Sequence, residues 1–398
     1  MKALHHLLQN LQEQASTCNC GHHEKITLET VEIGNDALEQ VAQYTERRQF
    51  QRMVLVVDNN TFEAAGERLQ QLLSSEAEAI ITLCTIDPNA SGDVVADEAS
   101  IVQLMLSVEP GITDVIIAVG AGTIHDITRF AAYHMHVPFI SVPTAPSVDG
   151  FTSKGAPVLL RGSKITIPAS GPIAIFADSG VLTQAPQELI AAGFGDMLGK
   201  YTSLLDWQYG RHTAGEPYCE AAYRITRDAL VACVSQAEAI GARTEQGIRT
   251  LTEALIASGL AMLLFGQSHP ASGAEHHLSH YWEMAYLRRG KRQLLHGAKV
   301  AVACAEVARM YRELAAEGDP ALFPEPVRAE LLARIAADVP EPSRLRELLR
   351  TVGAPVSPDE LGVDEELLHR SLQEAQHVRP NRHTLLKAFN EQRLSTLH

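Results

Sequence analysis

The segment SGAEHHLSHYWE at residues 272–283 places His276, His277 and His280 within five positions. On a helix, residues four apart share a face, so His276 and His280 point together while His277 is turned about 100° away. Neutral imidazoles converging from one face suit a borderline divalent cation, and Glu275 and Glu283 stand near enough to accept from their second ring nitrogens. Further on, LLHGAKVAVACA sets His296 before a glycine at the start of an apolar helix, and upstream GFGDMLGK (193–200) offers Asp196 with Lys200 one turn later. Asp196, His276 and His296 would make a carboxylate-plus-two-imidazole site that leaves a position open for substrate. The local alternative for Asp196 is an N-cap at the start of a helix, paired i,i+4 with Lys200.

A second set of residues suits an anion and a polyol. VIIAVGAGTIHDITRF ends a buried strand at Val119 and opens a helix with Gly120, Ala121, Gly122 and Thr123. Such a turn lets backbone N–H groups approach an anion at a helix N-terminus, although a plain strand-to-helix turn has the same composition. Asp58 closes the first strong strand, where an acid can bond an adenosine ribose or simply cap the next helix. VPTAPSVDGFTSKG (142–155) is a loop of hydroxyls and small residues in which Asp149 could accept from substrate hydroxyls. CNCGHH (18–23) reads as a surface turn, with weak opportunistic metal binding as the alternative. Its Cys-x-Cys is tighter than the usual structural zinc spacing, and no second Cys/His pair follows at finger spacing. The other four cysteines read as reduced core residues.

The elements that must position these residues fall into two kinds. RMVLVVDNN (52–60), AEAIITLCTI, DVIIAVGAG and VPFISVPTAP read as buried strands, and TFEAAGERLQQLLSS and DEASIVQLMLSV as helices between them. That alternation is the pattern of a parallel sheet covered on both faces. From about 186 onward the chain reads almost wholly as helices, with apolar positions at 3.6 spacing. The expected architecture is therefore an α/β, Rossmann-like dinucleotide-binding domain over 1–185 and an all-helical metal- and substrate-binding domain over 186–398. The cleft between them is the expected active site.

Composition sets outer bounds. The chain has 398 residues, 45% of them apolar and 20% charged, as expected of a water-soluble globular protein. A net charge of −15 argues against binding nucleic acid or anionic membrane surfaces, and implies that any anionic substrate needs a locally positive pocket. Apolar runs such as LIASGLAMLLFG fall short of the ~20 residues of a membrane span, and the polar N-terminus lacks a signal-peptide core. A cytoplasmic location without membrane partners is expected.

GAGTIHD (120–126), PTAPSVDGFTS (143–153), GFGDMLGK (193–200), SHPASGAEHHLSHYWE (268–283) and LLHG (294–297), in that order, resemble the iron-containing (group III) alcohol dehydrogenase and dehydroquinate synthase-like superfamily. The resemblance spans roughly residues 25–310 and is strongest to the bacterial branch that acts on sn-glycerol 1-phosphate. It implies hydride transfer between NAD(H) or NADP(H) and the pair dihydroxyacetone phosphate/sn-glycerol 1-phosphate, with one divalent cation, Zn2+ before Ni2+ before Fe2+. Dinucleotide contacts are implied for Asp58, for Gly120, Ala121, Gly122, Thr123 and Ile124, for Thr144, Ala145, Pro146 and Ser147, and for Ser153. Asp196, His276 and His296 would hold the cation. Asp149, Asp196 and His280 would bind substrate, with Asp196 and His280 catalytic and His277 left to packing or solvent.

Lys154, Lys200, Arg288 and Arg289 are the candidates for the substrate phosphate, and Asp58 favours NAD over NADP. The helical half offers surfaces for a homodimer, and neither the Cys-Asn-Cys segment nor the C-terminal tail receives a catalytic role. Near alternatives are a glycerol dehydrogenase or other secondary-alcohol enzyme acting on unphosphorylated substrate, and a dehydroquinate synthase-like lyase. A catalytically inactive binding protein of the same fold is the distant one.

Overall fold

The structure is a computed structural model that describes residues 11, 13–75, 79–325 and 327–395. Six strands form one parallel sheet: β1 (Thr30–Gly34), β2 (Arg52–Val57), β3 (Ile80–Thr85), β4 (Val115–Gly120), β5 (Phe139–Pro143) and β8 (Ala174–Asp178), in the spatial order β1-β8-β5-β4-β2-β3. Between β5 and β8 the chain makes an antiparallel hairpin, β6 (Gly155–Leu160) and β7 (Ser163–Pro168).

The central strands are continuous apolar runs because both faces are covered. Along β2, Val54 and Val56 enter one core with Ile127 and Ala131, whereas Leu55 and Val57 enter the opposite core with Val41 and Leu69. This is the period of two expected of a strand, with each side chain serving its own layer. The helices supplying those layers are α1 (Ala37–Arg47), α2 (Glu67–Ser74), α3 (Glu98–Ser107) and α4 (Gly122–Met135).

Sequence reading took this segment as a buried strand, but among the described residues β3 pairs only with β2 and forms an edge, leaving Ile80 52% exposed. Apolar composition does not separate an edge strand from a central one when the opposite face still packs. The hairpin was not anticipated either. Its turn is Arg161–Gly162, both at positive φ (51° and 73°), which matches the right-handed twist of a tight hairpin.

The second half is helical: α5 (Gln187–Leu198), α6 (Lys200–Ala214), α7 (Glu220–Ser235), α8 (Glu245–Phe265), α9 (Ala274–Arg288) and α10 (His296–Glu317), followed by shorter helices to Ser395. By length and composition α8 could cross a membrane, yet 83% of its apolar window is buried inside the protein, as in a central core helix. Asp196 is not the N-cap that local reading allowed. Helix α5 begins at Gln187, so Asp196 lies in its third turn, fully buried.

Candidate active site

Glycines decide where the metal-ligand candidates meet. A Cβ on Gly297 would lie 1.8 Å from the carbonyl oxygen of Ala192, and one on Gly195 would lie 2.5 Å from that of Gly297. Helices α5 and α10 therefore cross in direct backbone contact, which no other residue type allows. The crossing sets Asp196 of α5 beside His296, the first residue of α10, and α9 brings His276 to the same point. One ligand atom from each of the three lies within 4.8 Å of the others. His276 Nε2 is 3.7 Å from Asp196 Oδ1, and the two imidazole centroids are 5.2 Å apart.

The imidazoles are prepared as neutral donors. His276 Nδ1 donates to Glu275 Oε1 at 2.7 Å, and Glu275 is itself held by the Gly273 N–H (2.7 Å) and the Thr202 hydroxyl (2.6 Å). That arrangement presents the lone pair of Nε2 towards Asp196. Burial, reinforced by the Lys200 ammonium, holds His276 well below its usual pKa. Burial and the nearby Lys164 and Lys299 ammoniums lower His296 to about 3. Two neutral imidazoles and a carboxylate form a donor set that fits a borderline divalent cation.

Asp196 and Asp149 share one buried counter-ion. Lys200 Nζ donates to Asp196 Oδ1 at 2.9 Å, lies 2.8 Å from Asp149 Oδ2, and donates to the Ala271 carbonyl at 3.1 Å. The backbone N–H of Asp149 reaches Asp196 Oδ2 (3.0 Å), and the Ser258 hydroxyl reaches Asp149 Oδ2 (2.9 Å). Burial and the Asp196 charge raise the pKa of Asp149 against the pull of Lys200. Two carboxylates against one ammonium leave a site receptive to further positive charge.

Of the three metal-ligand candidates, His276 and His296 line a cleft of about 900 Å³, and Asp196 is buried beside them. Ala121, Gly122 and Thr123 line it from the sheet side, with Ser147, Asp149 and Ser153 beside them, and His276, His280 and His296 line it from the helical side. The N-terminus of α4 has no side-chain cap, so its first N–H groups stay available to an anionic ligand, as a dinucleotide pyrophosphate would require. His280 is not among the three clustered residues. Its ring centroid is 5.9 Å from that of His296, at the cleft wall. His277 is buried in the core.

Several sequence candidates lie away from the cleft surface. Gly120, Ile124 and Ala145 are core residues, and Thr144 is also buried. The Pro146 carbonyl oxygen would sit 1.8 Å from a Cβ on Gly193, so it packs against α5. Asp58 forms a capping box with Thr61, its Oδ1 accepting the Thr61 N–H at 2.8 Å, and it does not line the cleft. Of the proposed phosphate contacts, Arg288 and Arg289 are outside the lining, and Arg289 pairs with Asp364. Lys154 is at the rim, paired with Glu24.

Further cations on or behind the cleft lining were missed, among them Lys164, Lys299 and Arg379. Lys164, on the unanticipated hairpin, bonds Glu283 at 2.8 Å, and the buried Lys299 meets the same carboxylate at 2.9 Å. Arg379, from the C-terminal segment, lines the cleft and donates to the hydroxyls of Ser268 (2.7 Å) and Ser272 (3.2 Å). Of the three, only Lys299 carried a local signal, one turn beyond His296.

A parallel sheet with a glycine turn at a strand end, facing helices that gather one carboxylate and two imidazoles, defines a metal-dependent alcohol dehydrogenase of the iron-containing class. The pattern of that family, iron-containing alcohol dehydrogenase, matches residues 32–186. A glycerol dehydrogenase from Schizosaccharomyces pombe shares the fold, with a TM-score of 0.66 over 93% of this chain and 91% of that one at 19% identity. Closer relatives are named glycerol-1-phosphate dehydrogenase, NAD(P)+. The one from Geobacillus stearothermophilus is 48% identical, covering 96% of this chain and 98% of its own length. That from Bacillus subtilis is 45% identical, covering 94% of each. The chain belongs to the glycerol-1-phosphate dehydrogenase family.

Proposed function

We propose that this chain is a metal-dependent, NAD(P)-linked oxidoreductase that interconverts dihydroxyacetone phosphate and sn-glycerol 1-phosphate. The observation that carries the reading is the gathering of Asp196, His276 and His296, with both imidazoles on one cleft, opposite the uncapped N-terminus of α4. When bound, the dinucleotide would supply hydride-transfer chemistry and the cation would supply positive charge beside the substrate oxygen. Asp196, His276 and His296 hold the cation, with zinc the first choice for this donor set, then nickel, then iron. Ala121, Gly122 and Thr123 hold the pyrophosphate, and Ser147 and Ser153 the neighbouring ribose. Asp58, at the end of β2, favours NAD, and the 144–146 loop backs these contacts from outside the cleft lining.

The chain's own groups orient the substrate. Asp149, kept in place by Lys200 and Ser258, accepts from a substrate hydroxyl. His280 is kept neutral because burial, with Lys164 next, holds its pKa well below the usual value, so it meets substrate as a hydrogen-bonding group rather than as a cation. Arg379 is the phosphate anchor: two serine hydroxyls hold its guanidinium at the cleft, leaving it suited to a bidentate oxyanion. Lys164 adds a second positive group at the hairpin.

The test is NADH oxidation with dihydroxyacetone phosphate, before and after chelation, with zinc, nickel and iron added back separately. Activity should vanish on chelation and return with a metal. Turnover of glycerol but not of the phosphorylated pair would overturn the reading.

A further inference from the structure

Outside the lining of the active-site cleft, the structure assembles a second set of metal-ligating groups. Cys18, Cys20, His23 and Cys219 each bring one ligand atom to within 4.8 Å of the others. Cys18 Sγ lies 3.8 Å from Cys219 Sγ, and His23 Nε2 lies 3.3 Å from the same sulfur. A tetrahedral zinc with bonds of about 2.3 Å to sulfur separates its sulfurs by roughly 3.8 Å, whereas a disulfide needs about 2.05 Å.

The backbone around the cluster explains how so tight a spacing serves. Gly21 adopts φ +73°, the left-handed conformation that turns the chain after Cys20 and returns His23 to the sulfurs. The N–H of His22 donates to Cys20 Sγ and that of Ala222 to Cys219 Sγ, both at 3.4 Å. Cys219 is the N-cap of the 16-residue helix α7, which fixes its sulfur at the start of that helix. Cys219 is fully buried, and Cys18 and Cys20 pack partly buried against the main core. Sequence reading stopped at a surface turn because the fourth ligand lies 196 residues beyond His23.

We propose that Cys18, Cys20, His23 and Cys219 form a closed, four-coordinate structural zinc site that staples the segment ahead of β1 to the N-terminus of α7. It is independent of the active-site reading, because no ligand is shared. The staple also steadies the cleft rim. The next residue, Glu24, donates its N–H to the Leu264 carbonyl at 2.8 Å, pairs with Lys154 and lines the cleft.

Cobalt distinguishes the two sites, since only the cysteine cluster gives a thiolate-to-cobalt charge-transfer band. Full-length protein stripped under reducing conditions and titrated with Co2+ should take up two equivalents per chain and develop that band. His296→Ala should keep the band and one equivalent. Cys219→Ser and Cys18→Ser should each weaken the band and loosen the second equivalent, and keep the other equivalent. Wild-type protein with no charge-transfer band, or protein purified under reducing conditions in which two of these cysteines are joined as a disulfide, would overturn the proposal. The wild-type titration decides the matter even where a cysteine variant fails to fold.

Discussion

Glu275 Oε1 accepts the Nδ1 proton of His276 at 2.7 Å, and that bond determines which imidazole nitrogen faces Asp196. A carboxylate behind a ligating histidine fixes the ring's tautomer and raises its basicity. Glu275→Gln keeps the shape but loses the charge. Its metal affinity should fall about 10–100-fold, read by competition with a chromophoric chelator. Wild-type affinity in this variant would show that Glu275 only packs.

Lys200 lies between two buried carboxylates, at 2.9 Å from Asp196 and 2.8 Å from Asp149. Removing one partner of a buried ion pair leaves uncompensated charge, which costs about 3–5 kcal/mol. Lys200→Met should lose stability of that order in the metal-free state, and less in the metal-loaded state where a cation offsets the carboxylates. Urea unfolding of both states measures the difference. Equal losses with and without metal would place the effect in packing.

His296 and His280 are close in space, with ring centroids 5.9 Å apart, but only His296 joins the three-residue cluster. His296→Ala should therefore abolish metal retention and activity together. His280→Ala should retain the ion and raise the KM for dihydroxyacetone phosphate. Metal content after desalting, measured beside the kinetics, separates the two, and identical behaviour would refute the assigned division.

Arg379 contacts serine hydroxyls at the cleft wall, whereas Lys164 is already engaged with a carboxylate. A hydrogen bond to a charged group contributes about 1.5–3 kcal/mol. Arg379→Met should raise the KM for dihydroxyacetone phosphate by about 10–100-fold and leave the KM for NADH unchanged. An unchanged substrate KM would move the phosphate elsewhere in the cleft.

Acid should destabilise the fold through buried neutral histidines. His125 bonds the Ala121 carbonyl (2.9 Å) and the Ser141 hydroxyl (2.7 Å), and burial lowers its pKa to about 3. His269 and His277 are likewise lowered to about 3, chiefly by burial. Above about pH 6.5 these rings are neutral in both states, so their contribution is fully present. As pH falls towards 3, the unfolded chain takes up protons that the folded one refuses, and stability is lost. Asp206 works the other way: burial, with the Glu275 charge next, raises it to about 7, so the fold gains from its protonation. His125→Gln should flatten the dependence by about 1.4 kcal/mol per pH unit between about pH 6.5 and about pH 4. An unaltered slope in urea unfolding would sink this account.

What can be read from sequence here is what short-range patterning controls. The runs at β2, β4 and β5 announce buried strands because each is covered on both faces, and the 3.6 spacing announces helices. Residue type also nominated Asp196, His276, His280 and His296, since carboxylates and imidazoles at helical spacing have a limited chemistry. The strand at Ile80–Thr85 misled because its composition matches that of a central strand while its neighbours number only one.

Tertiary structure decided which of these groups meet. Helical spacing set His276 and His280 on one face, but the contact of α5 with α10 through Gly195 and Gly297 brought Asp196 to His296, and the packing of α9 added His276. The same holds for Arg379 beside Ser268 and Ser272, and for Cys219 beside Cys18. Each pair joins positions more than a hundred residues apart. Local periodicity records which way a side chain faces its own element. Which partner it finds there depends on how closely whole elements pack, and that is a property of the folded chain.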